Sequence, residues 1–186
     1  MASSAKKTSL PVSQVRQYLE PGPIVLVSSK WRGKMNIITM GWHMIMEFTP
    51  SLVSCVISSA NHSYRMIRNS GECVINLPTT NLTDQVIGIG NTSGNKIDKF
   101  SKFGLTADKA DEVEAPLIRE CHASFECRIH DNALIEKYDL FILEVVKAHV
   151  AVSPKHPETL HYTGNGVFML AGKIIDRKSQ FEPGIL

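Results

Sequence analysis

The feature that most constrains the fold is a series of short apolar runs, rich in valine and isoleucine, that recurs along most of the chain. Glycine, proline and small polar residues bound these runs, which is the pattern of strands joined by turns. Many short strands punctuated in this way favour a barrel or a sandwich over a doubly wound sheet. The predicted strands cover residues 24–28, 35–40, 52–57, 72–77, 124–129, 140–151 and 166–170.

The run over 140–151 is long for a strand, and we expect a β-bulge to bend it. Helical patterns are few. The clearest covers 63–70, because Ser63 can cap its start and Gly71 can stop it. The inward-facing residues expected there are Tyr64, Met66 and Ile67.

Three weaker helical segments are predicted over 13–20, 81–90 and 106–110. In the segment 81–90, Asn81 or Thr83 is the expected cap, and Val86 and Ile87 form the expected buried face. The fold class expected from these patterns is mainly β with a few short flanking helices. We expect one domain over 1–186, with a mobile tail and a short helix over 1–20 and an extension over 171–186.

Small and polar residues interrupt the strand pattern after a tight turn at Arg32 and Gly33. Asn36, Thr39 and Gly41 lie where bulky side chains would pack a core. Strands carry such residues where another group approaches their backbone closely. A buried amide such as that of Asn36 costs about 1–3 kcal/mol without a partner, so it needs a ligand or a backbone group. We interpret this stretch as the slot for a flat, anionic cofactor.

The segment 58–64 is the first candidate for binding the phosphate of such a cofactor. It follows a strand and opens a helix, and helix N-termini present unpaired amides to anions. Hydroxyl groups of Ser58, Ser59 and Ser63 add hydrogen-bond donors. From spacing alone, an ordinary helix cap at a strand-to-helix turn is the favoured alternative.

The second candidate is the loop from Thr92 to Lys96, which contains Ser93 and Gly94. A glycine lets the backbone turn and expose its amides, and a lysine supplies positive charge. An ordinary surface turn is the alternative. Further basic side chains near the two candidates are Lys99, Arg65 and Arg68.

The whole stretch resembles the flavin-reductase-like FMN-binding split-barrel family, close to its flavoredoxin branch. The resemblance is carried by 28–42, 49–78, 92–100, 115–121 and 161–164. It implies a Greek-key-type split β-barrel that binds FMN and passes electrons or hydride between NAD(P)H, or a redox protein, and an acceptor. It also implies a homodimer.

The resemblance assigns FMN contacts to three segments. The ring and ribityl chain would lie against Asn36, Thr39, Met40, Gly41 and Trp42, and the phosphate against the turn and the loop. Lys96 fits the basic position at the phosphate better than Lys99 does. The expected contacts of the turn and loop are Ser58, Ser59, Ala60, His62, Ser63, Tyr64, Ser93, Gly94 and Lys96.

Composition narrows the function further. The net charge of +2 and the scattered basic residues give no reason to expect nucleic acid as a partner. No apolar run is long enough for a bilayer, and the N-terminus lacks the apolar core of a secretory signal. The chain is therefore expected in the cytoplasm.

The four cysteines form no C-x-x-C pair and are expected as buried, reduced thiols. The alternative for Cys121 is a redox role beside a flavin. His161 is a weak candidate, since a lone histidine is usually a surface or core residue, and no metal site is expected. A rival interpretation of the whole chain is a non-enzymatic module that binds FMN or another ligand such as haem.

Overall fold

The computed structural model describes residues 6–15 and 22–180. This part of the chain is mainly β. Its strands are β1 Lys7–Leu10, β2 Val25–Trp31, β3 Lys34–Met40, β4 His43–Glu47, β5 Leu52–Val56, β6 Glu72–Leu77, β7 Ala107–Asp108, β8 Leu117–Ile118, β9 Ala123–Asp131, β10 Leu140–Ala151, β11 Leu160–Gly164 and β12 Val167–Leu170. Its α-helices are α1 His62–Ser70, α2 Thr83–Gly90, α3 Lys99–Phe103 and α4 Ile135–Tyr138.

The main sheet is antiparallel and follows the order β3-β2-β6-β9-β10-β5-β4, with β1 added alongside β10. The strands at the two ends of this order, β3 and β4, are joined by Gly41 and Trp42 alone. A link of two residues holds the two edges close together, so the sheet curls round on itself and stays open along this seam. This is the split barrel expected from the sequence.

The hairpin between β2 and β3 confirms the predicted tight turn. Arg32 and Gly33 both have positive φ, at 50° and 75°, and Trp31 pairs with Lys34. Positive φ at both central residues is typical of the turn that suits the twist of two-residue hairpins. The turn fixes the register of β3, so that Asn36 and Ile38 share one face and Ile37 and Thr39 share the other.

One apolar layer lies on each side of β2. Val25 and Val27 enter the barrel core, and Leu26 packs on the outside in a cluster with Val86 of α2. The side chains of Val25, Leu26 and Val27 are fully buried. Removing side chains of this size from water stabilises a fold by about 1.5–3 kcal/mol each. The outer layer holds α2 and α3 against the open edge of the sheet.

Helix α1 confirms the clearest helical prediction, with one correction. Tyr64, Met66 and Ile67 are buried, and Gly71 ends the helix with a left-handed φ of 78°. The N-cap position is Asn61, because the helix begins at His62. Ser63 therefore lies inside the first turn and does not cap it.

Helix α2 begins later than the sequence predicts. A 3-10 turn, Thr80–Leu82, precedes it, and Leu82 occupies the N-cap position assigned to Asn81 or Thr83. The prediction that Ile87 is buried is wrong: Ile87 is 42% exposed and Ile89 packs inward with Val86. The helical period places positions 86 and 89 on one face and turns position 87 away from it.

The prediction of a helix over 106–110 is also wrong, because Ala107–Asp108 pairs with Leu117–Ile118 in a short two-stranded antiparallel sheet. Part of the expected tail, Lys7–Leu10, forms β1 on the sheet. Of the helix predicted over 13–20, the described residues show a 3-10 turn, Val12–Gln14, and 16–20 lie outside them. The expected irregularity in β10 is confirmed by two register shifts against β9.

Candidate functional site

A polar pocket of about 130 Å³ lies where β3, the start of α1 and the loop after α2 meet. The two segments proposed from sequence for the phosphate thus come together on one side of the open edge strand. The lining residues are Asn36, Ile38, Ala60, Asn61, His62, Ser63, Thr92, Ser93, Gly94 and Lys99.

Asn36 forms the buried floor of this polar pocket. Its side chain is 3% exposed, and Nδ2 donates to Ser63 Oγ at 2.8 Å. Its Oδ1 has no hydrogen-bond partner among the described residues. Gly94 packs against the amide so closely that a Cβ there would lie 2.1 Å from Oδ1. The glycine is needed for this approach, and the amide oxygen is an acceptor that a bound group can satisfy.

The start of α1 is open to an anion. The N-cap residue, Asn61, makes no side-chain capping hydrogen bond, and the first turn carries no acidic residue. Ser63 Oγ accepts from Asn36, so its own hydroxyl proton is available to a second group. Unpaired amides and the helix dipole both favour negative charge at this place.

Lys99 supplies the buried cation of the pocket. Its side chain is 4% exposed, and Nζ donates to the carbonyl oxygens of Ile37 and Ile89, each at 2.9 Å. Burial lowers the pKa of Lys99 to about 8. An ammonium has three donors, so one remains for an anion in the pocket. Asp98 accepts from the amides of Phe100 and Ser101 and so starts α3 at this lysine.

Three cationic side chains act on His62 beside the pocket. Its pKa is lowered by burial, and then by the charges of Arg65, Lys34 and Lys99. No carboxylate contributes to this shift. His62 Nδ1 is itself buried without a hydrogen-bond partner among the described residues. These cations form no ion pair within the described part of the chain, and such a group suits a ligand that carries more than one negative charge.

A larger cleft of about 540 Å³ opens on the other face of β3. Thr39 and Gly41 line it, and Thr39 Oγ1 donates to Val86 O of α2 at 2.7 Å. A Cβ at position 41 would lie 2.9 Å from Ile24 Cδ1, so glycine fits there without displacing that side chain. The remaining lining residues are Gly22, Ile24, Trp42, Val86, Ile87, Gly90, Asn91, Tyr162, Gly166 and Phe168.

The structure brings most of the predicted site residues to these two cavities. The polar pocket is lined by Asn36, Ala60, His62, Ser63, Ser93 and Gly94. The cleft is lined by Thr39, Gly41 and Trp42. The edge of β3 separates the two cavities. A ligand with a phosphate in the pocket can therefore extend along this edge towards Gly41.

Five predicted residues do not line either cavity: Met40, Tyr64, Ser58, Ser59 and Lys96. Met40 lies in the barrel core, and Tyr64 packs edge-on against Phe141. Ser59 hydrogen-bonds through its amide and its hydroxyl to Asp139 Oδ2. Ser58 is exposed and its hydroxyl accepts from the amide of Ala60.

Lys96 is exposed and lies outside the polar pocket, whereas Lys99 lines it. Thr92 and Asn61 are further lining residues that sequence reasoning did not single out as contacts. The signal that could have identified Lys99 is the preceding Asp98, a residue type that caps helices.

The remaining candidates lie elsewhere. All four cysteines are free and buried, and burial raises the pKa of Cys121 to about 12. A thiol that stays protonated is a poor nucleophile and redox group, which removes support for the alternative role of Cys121. His161 hydrogen-bonds to Thr159 Oγ1 at 2.9 Å and does not line the cleft.

An apolar stripe lies on the edge strand β4 and the seam before it. Trp42, Met44 and Met46 are 74%, 60% and 42% exposed and lie close together in sequence. Large apolar side chains exposed side by side mark interaction surfaces. Among the described residues, no helix has the length and apolar character that a membrane crossing needs.

Comparison with solved structures identifies similar folds. An FMN-binding domain of a flavin reductases-like enzyme from Shewanella baltica superposes with a TM-score of 0.87 at 23% identity, covering 94% of this chain and 99% of that chain. The flavoredoxin of Desulfovibrio vulgaris gives a TM-score of 0.77 at 23% identity, covering 84% and 90% of the two chains. At these identities the likeness establishes the split-barrel fold.

Sequence comparison establishes the family. An uncharacterized protein of Archaeoglobus fulgidus is 31% identical over 135 residues, which are 73% of this chain and 76% of that protein. An uncharacterized protein of Aeropyrum pernix is 27% identical over 70% of this chain, and the match spans half of its own length. The sequence model of the flavin reductase like domain matches residues 17–170. The chain belongs to the flavin reductase like domain family.

Proposed function

We propose that this protein is an FMN-dependent oxidoreductase of the flavoredoxin type. It would pass electrons or hydride between NAD(P)H, or a redox protein, and an acceptor. The observation that carries the proposal is the polar pocket. Within residues 6–15 and 22–180, the buried cation Lys99 has no acidic partner and the amide oxygen of Asn36 has no donor. The flavoredoxin and the FMN-binding domain found among similar structures support it.

The residues of the pocket fit a phosphate monoester. Its two negative charges would interact with the ammonium group of Lys99, with the other cations near His62 and with the amides at the start of α1. Ser63 would donate its hydroxyl proton, and the Asn36 amide oxygen would accept from a ribityl hydroxyl. Flavin mononucleotide ends in such a phosphate, and a pocket of about 130 Å³ has room for a single phosphate group.

The ring would lie along the open edge of β3, beside Thr39 and Gly41. Backbone amides and carbonyls of an edge strand are not used by a neighbouring strand, so they can bind the polar edge of the ring. The flavin supplies the redox chemistry, and the chain supplies binding, orientation and electrostatics. Backbone amides near the ring would stabilise negative charge that develops on reduction.

We also propose that the protein is a homodimer that pairs through the stripe of Trp42, Met44 and Met46. These side chains are the exposed apolar group closest in sequence to the proposed ring position. Burying them against a second copy would close the seam of the barrel beside the flavin. Four reduced, buried cysteines agree with a cytoplasmic protein, which is the compartment we propose.

A second candidate function is a binding module for FMN that has no turnover. One observation favours it: the cleft beside the proposed ring position is lined by no carboxylate, histidine, lysine or arginine among the described residues. Turnover would then depend wholly on the flavin and its electron donor.

The test is an anaerobic absorbance spectrum of the protein reconstituted with FMN and desalted. The proposal predicts flavin bands that survive desalting and bleach when NADH, NADPH or a reduced electron carrier is added. Retained bands that no donor bleaches would favour the binding module. Loss of all flavin on desalting, together with no saturable binding of FMN in a titration, would refute the proposal.

A further inference from the structure

We propose that Asp111, Glu126 and His149 form a binding site for a divalent transition-metal ion of the Zn²⁺ type. One ligand atom from each of these side chains lies within 4.8 Å of the other two. Asp111 lies between β7 and β8, and Glu126 and His149 lie on β9 and β10. None of the three lines the polar pocket or the cleft, so the metal site is separate from the proposed FMN site.

The pairing of β9 with β10 brings the carboxylate and the imidazole together. Glu126 pairs with Lys147, and His149 is its diagonal neighbour on the same face of the sheet. His149 Nε2 lies 2.6 Å from Glu126 Oε1. The segment after β7 places Asp111 Oδ2 at 4.0 Å from the same nitrogen. The three ligands come from distant segments, so no motif in the sequence predicts the site.

Backbone amides fix the position of the Glu126 carboxylate. The side chain is fully buried and accepts from the amides of Asp111, Glu112 and Val113. Burial raises the pKa of this carboxyl, but hydrogen bonds from the Asp111 amide, from His149 and from the Glu112 amide outweigh burial, and the pKa is lowered overall. Hydrogen bonds of this kind orient the carboxylates that bind metal ions.

The buried charge of Glu126 has no permanent cation beside it. Across residues 6–15 and 22–180, no lysine or arginine forms an ion pair with Glu126, and its ionic partner is His149, which is charged only when protonated. Buried charges in proteins are paired or bind metal ions. The two possible occupants are a proton on His149 and a metal ion. Asp111 favours the metal ion, because a divalent ion balances two carboxylates and a single proton balances one.

The distances need only a small adjustment to hold Zn²⁺. Ligand atoms lie about 2.0–2.2 Å from a tetrahedral zinc ion, so two of them are about 3.3 Å apart. Separations of 2.6 Å and 4.0 Å therefore have to change by about 0.7 Å each. Lys147 Nζ competes weakly for Asp111, since it lies 3.7 Å from Oδ2 of a side chain that is 58% exposed. This exposure also lets water supply the fourth ligand.

The test is a calorimetric titration of the full chain with Zn²⁺ and with Mg²⁺, after treatment with EDTA and dialysis. Imidazole is a ligand for zinc, whereas Mg²⁺ prefers oxygen ligands in an octahedral arrangement. The proposal predicts saturable binding of one Zn²⁺ per chain, and binding of Mg²⁺ that is weaker by about 100-fold or more. The unfolding temperature should rise with the concentration of Zn²⁺, because the folded chain alone presents the three ligands together.

Variants locate the ion. His149→Gln removes the nitrogen ligand but keeps an amide that can donate to Glu126, and it should weaken Zn²⁺ binding by about 100-fold. Asp111→Asn keeps the backbone amide and should weaken binding by about tenfold. His130→Ala is the matched control, because His130 also contacts a glutamate, Glu144, across β9 and β10, at 3.2 Å. The described residues give His130 no third ligand, so its loss should change the affinity by less than about twofold.

Zn²⁺ binding that depends on His149 and Asp111, and not on His130, supports the site. Binding that survives in Asp111→Asn and His149→Gln, or that His130→Ala weakens equally, would overturn the proposal, because the ion would then lie elsewhere. Absence of saturable Zn²⁺ binding would also overturn it. Asp111→Asn changes an exposed side chain, so it decides the matter even where His149→Gln does not fold. Retention of FMN by the metal-free protein tests the proposed function separately.

Discussion

Replacing Lys99 with methionine would separate the binding of the phosphate from the stability of the fold. Methionine nearly matches the length of lysine and removes only the charge and the donors. A hydrogen bond to a charged group contributes about 1.5–3 kcal/mol. Because 1.4 kcal/mol corresponds to a factor of ten, Lys99→Met should weaken FMN binding by about 10- to 150-fold.

The fold should tolerate this change. Burial lowers the pKa of Lys99 from 10.5 to about 8, which corresponds to a cost of about 3 kcal/mol for keeping the charge buried at neutral pH. Methionine removes this cost but leaves the carbonyls of Ile37 and Ile89 without the lysine donor, at about 1–3 kcal/mol each. These effects offset each other in part, so the free energy of unfolding of the apoprotein should change by less than about 3 kcal/mol.

The pH dependence of FMN binding gives an independent signature. Lys99 loses its proton as the pH rises through about 8. The second pKa of a phosphate monoester is about 6, so the phosphate is already largely dianionic at pH 7. FMN affinity should therefore fall about tenfold between pH 7 and pH 9. The pKa of His62 is lowered from 6.5, so His62 does not titrate in this window.

The assay is the quenching of FMN fluorescence on titration with protein at pH 7, 8 and 9. Lys99→Met should bind weakly with a flat pH profile between pH 7 and 9. Lys96→Met is the matched control, because Lys96 is an exposed lysine outside the polar pocket. Unchanged affinity in Lys99→Met, or an equal loss in Lys96→Met, would refute the assignment of Lys99 to the phosphate.

Three further predictions concern other parts of the molecule. Ser63→Ala should weaken FMN binding about threefold, while Ser59→Ala should leave it unchanged in the same titration, because Ser59 contacts Asp139. Met44→Lys should convert the proposed dimer to a monomer in sedimentation velocity, and a dimer that survives would contradict the interface. Glu126→Gln should lower the free energy of unfolding by about 3 kcal/mol in a urea titration, because the fully buried carboxylate accepts three backbone amides and a histidine. A smaller loss than about 1 kcal/mol would contradict this reading.

The parts of the fold that followed from sequence are those in which a local signal agrees with the tertiary structure. Val25 and Val27 mark β2 because valine favours a pleated, buried surface. The Arg32-Gly33 turn is a local steric requirement and sets the register of β3 without help from distant residues. Asn36 was identified for the same kind of reason, since a polar amide in an apolar strand needs a partner.

The features of the fold and site that could not be predicted from sequence depend on packing between distant segments. In β4, Met44 and Met46 face outward while Ile45 packs on the barrel core, so both faces are apolar and the alternation is hidden. The choice between Lys96 and Lys99 was decided by α3, whose start at Asp98 brings Lys99 to the carbonyls of β3 and α2. A helix of five residues leaves too short a pattern to be recognised in sequence.

The most direct test of the central claim compares FMN with riboflavin, which has the same ring and ribityl chain and no phosphate. Because the polar pocket is assigned to the phosphate, FMN should bind about 100-fold more tightly or better in parallel fluorescence titrations at pH 7, as two charged hydrogen bonds of about 1.5 kcal/mol each require. Equal affinities for FMN and riboflavin would contradict the account, since the charges gathered around Lys99 and His62 would then have no part in holding the flavin.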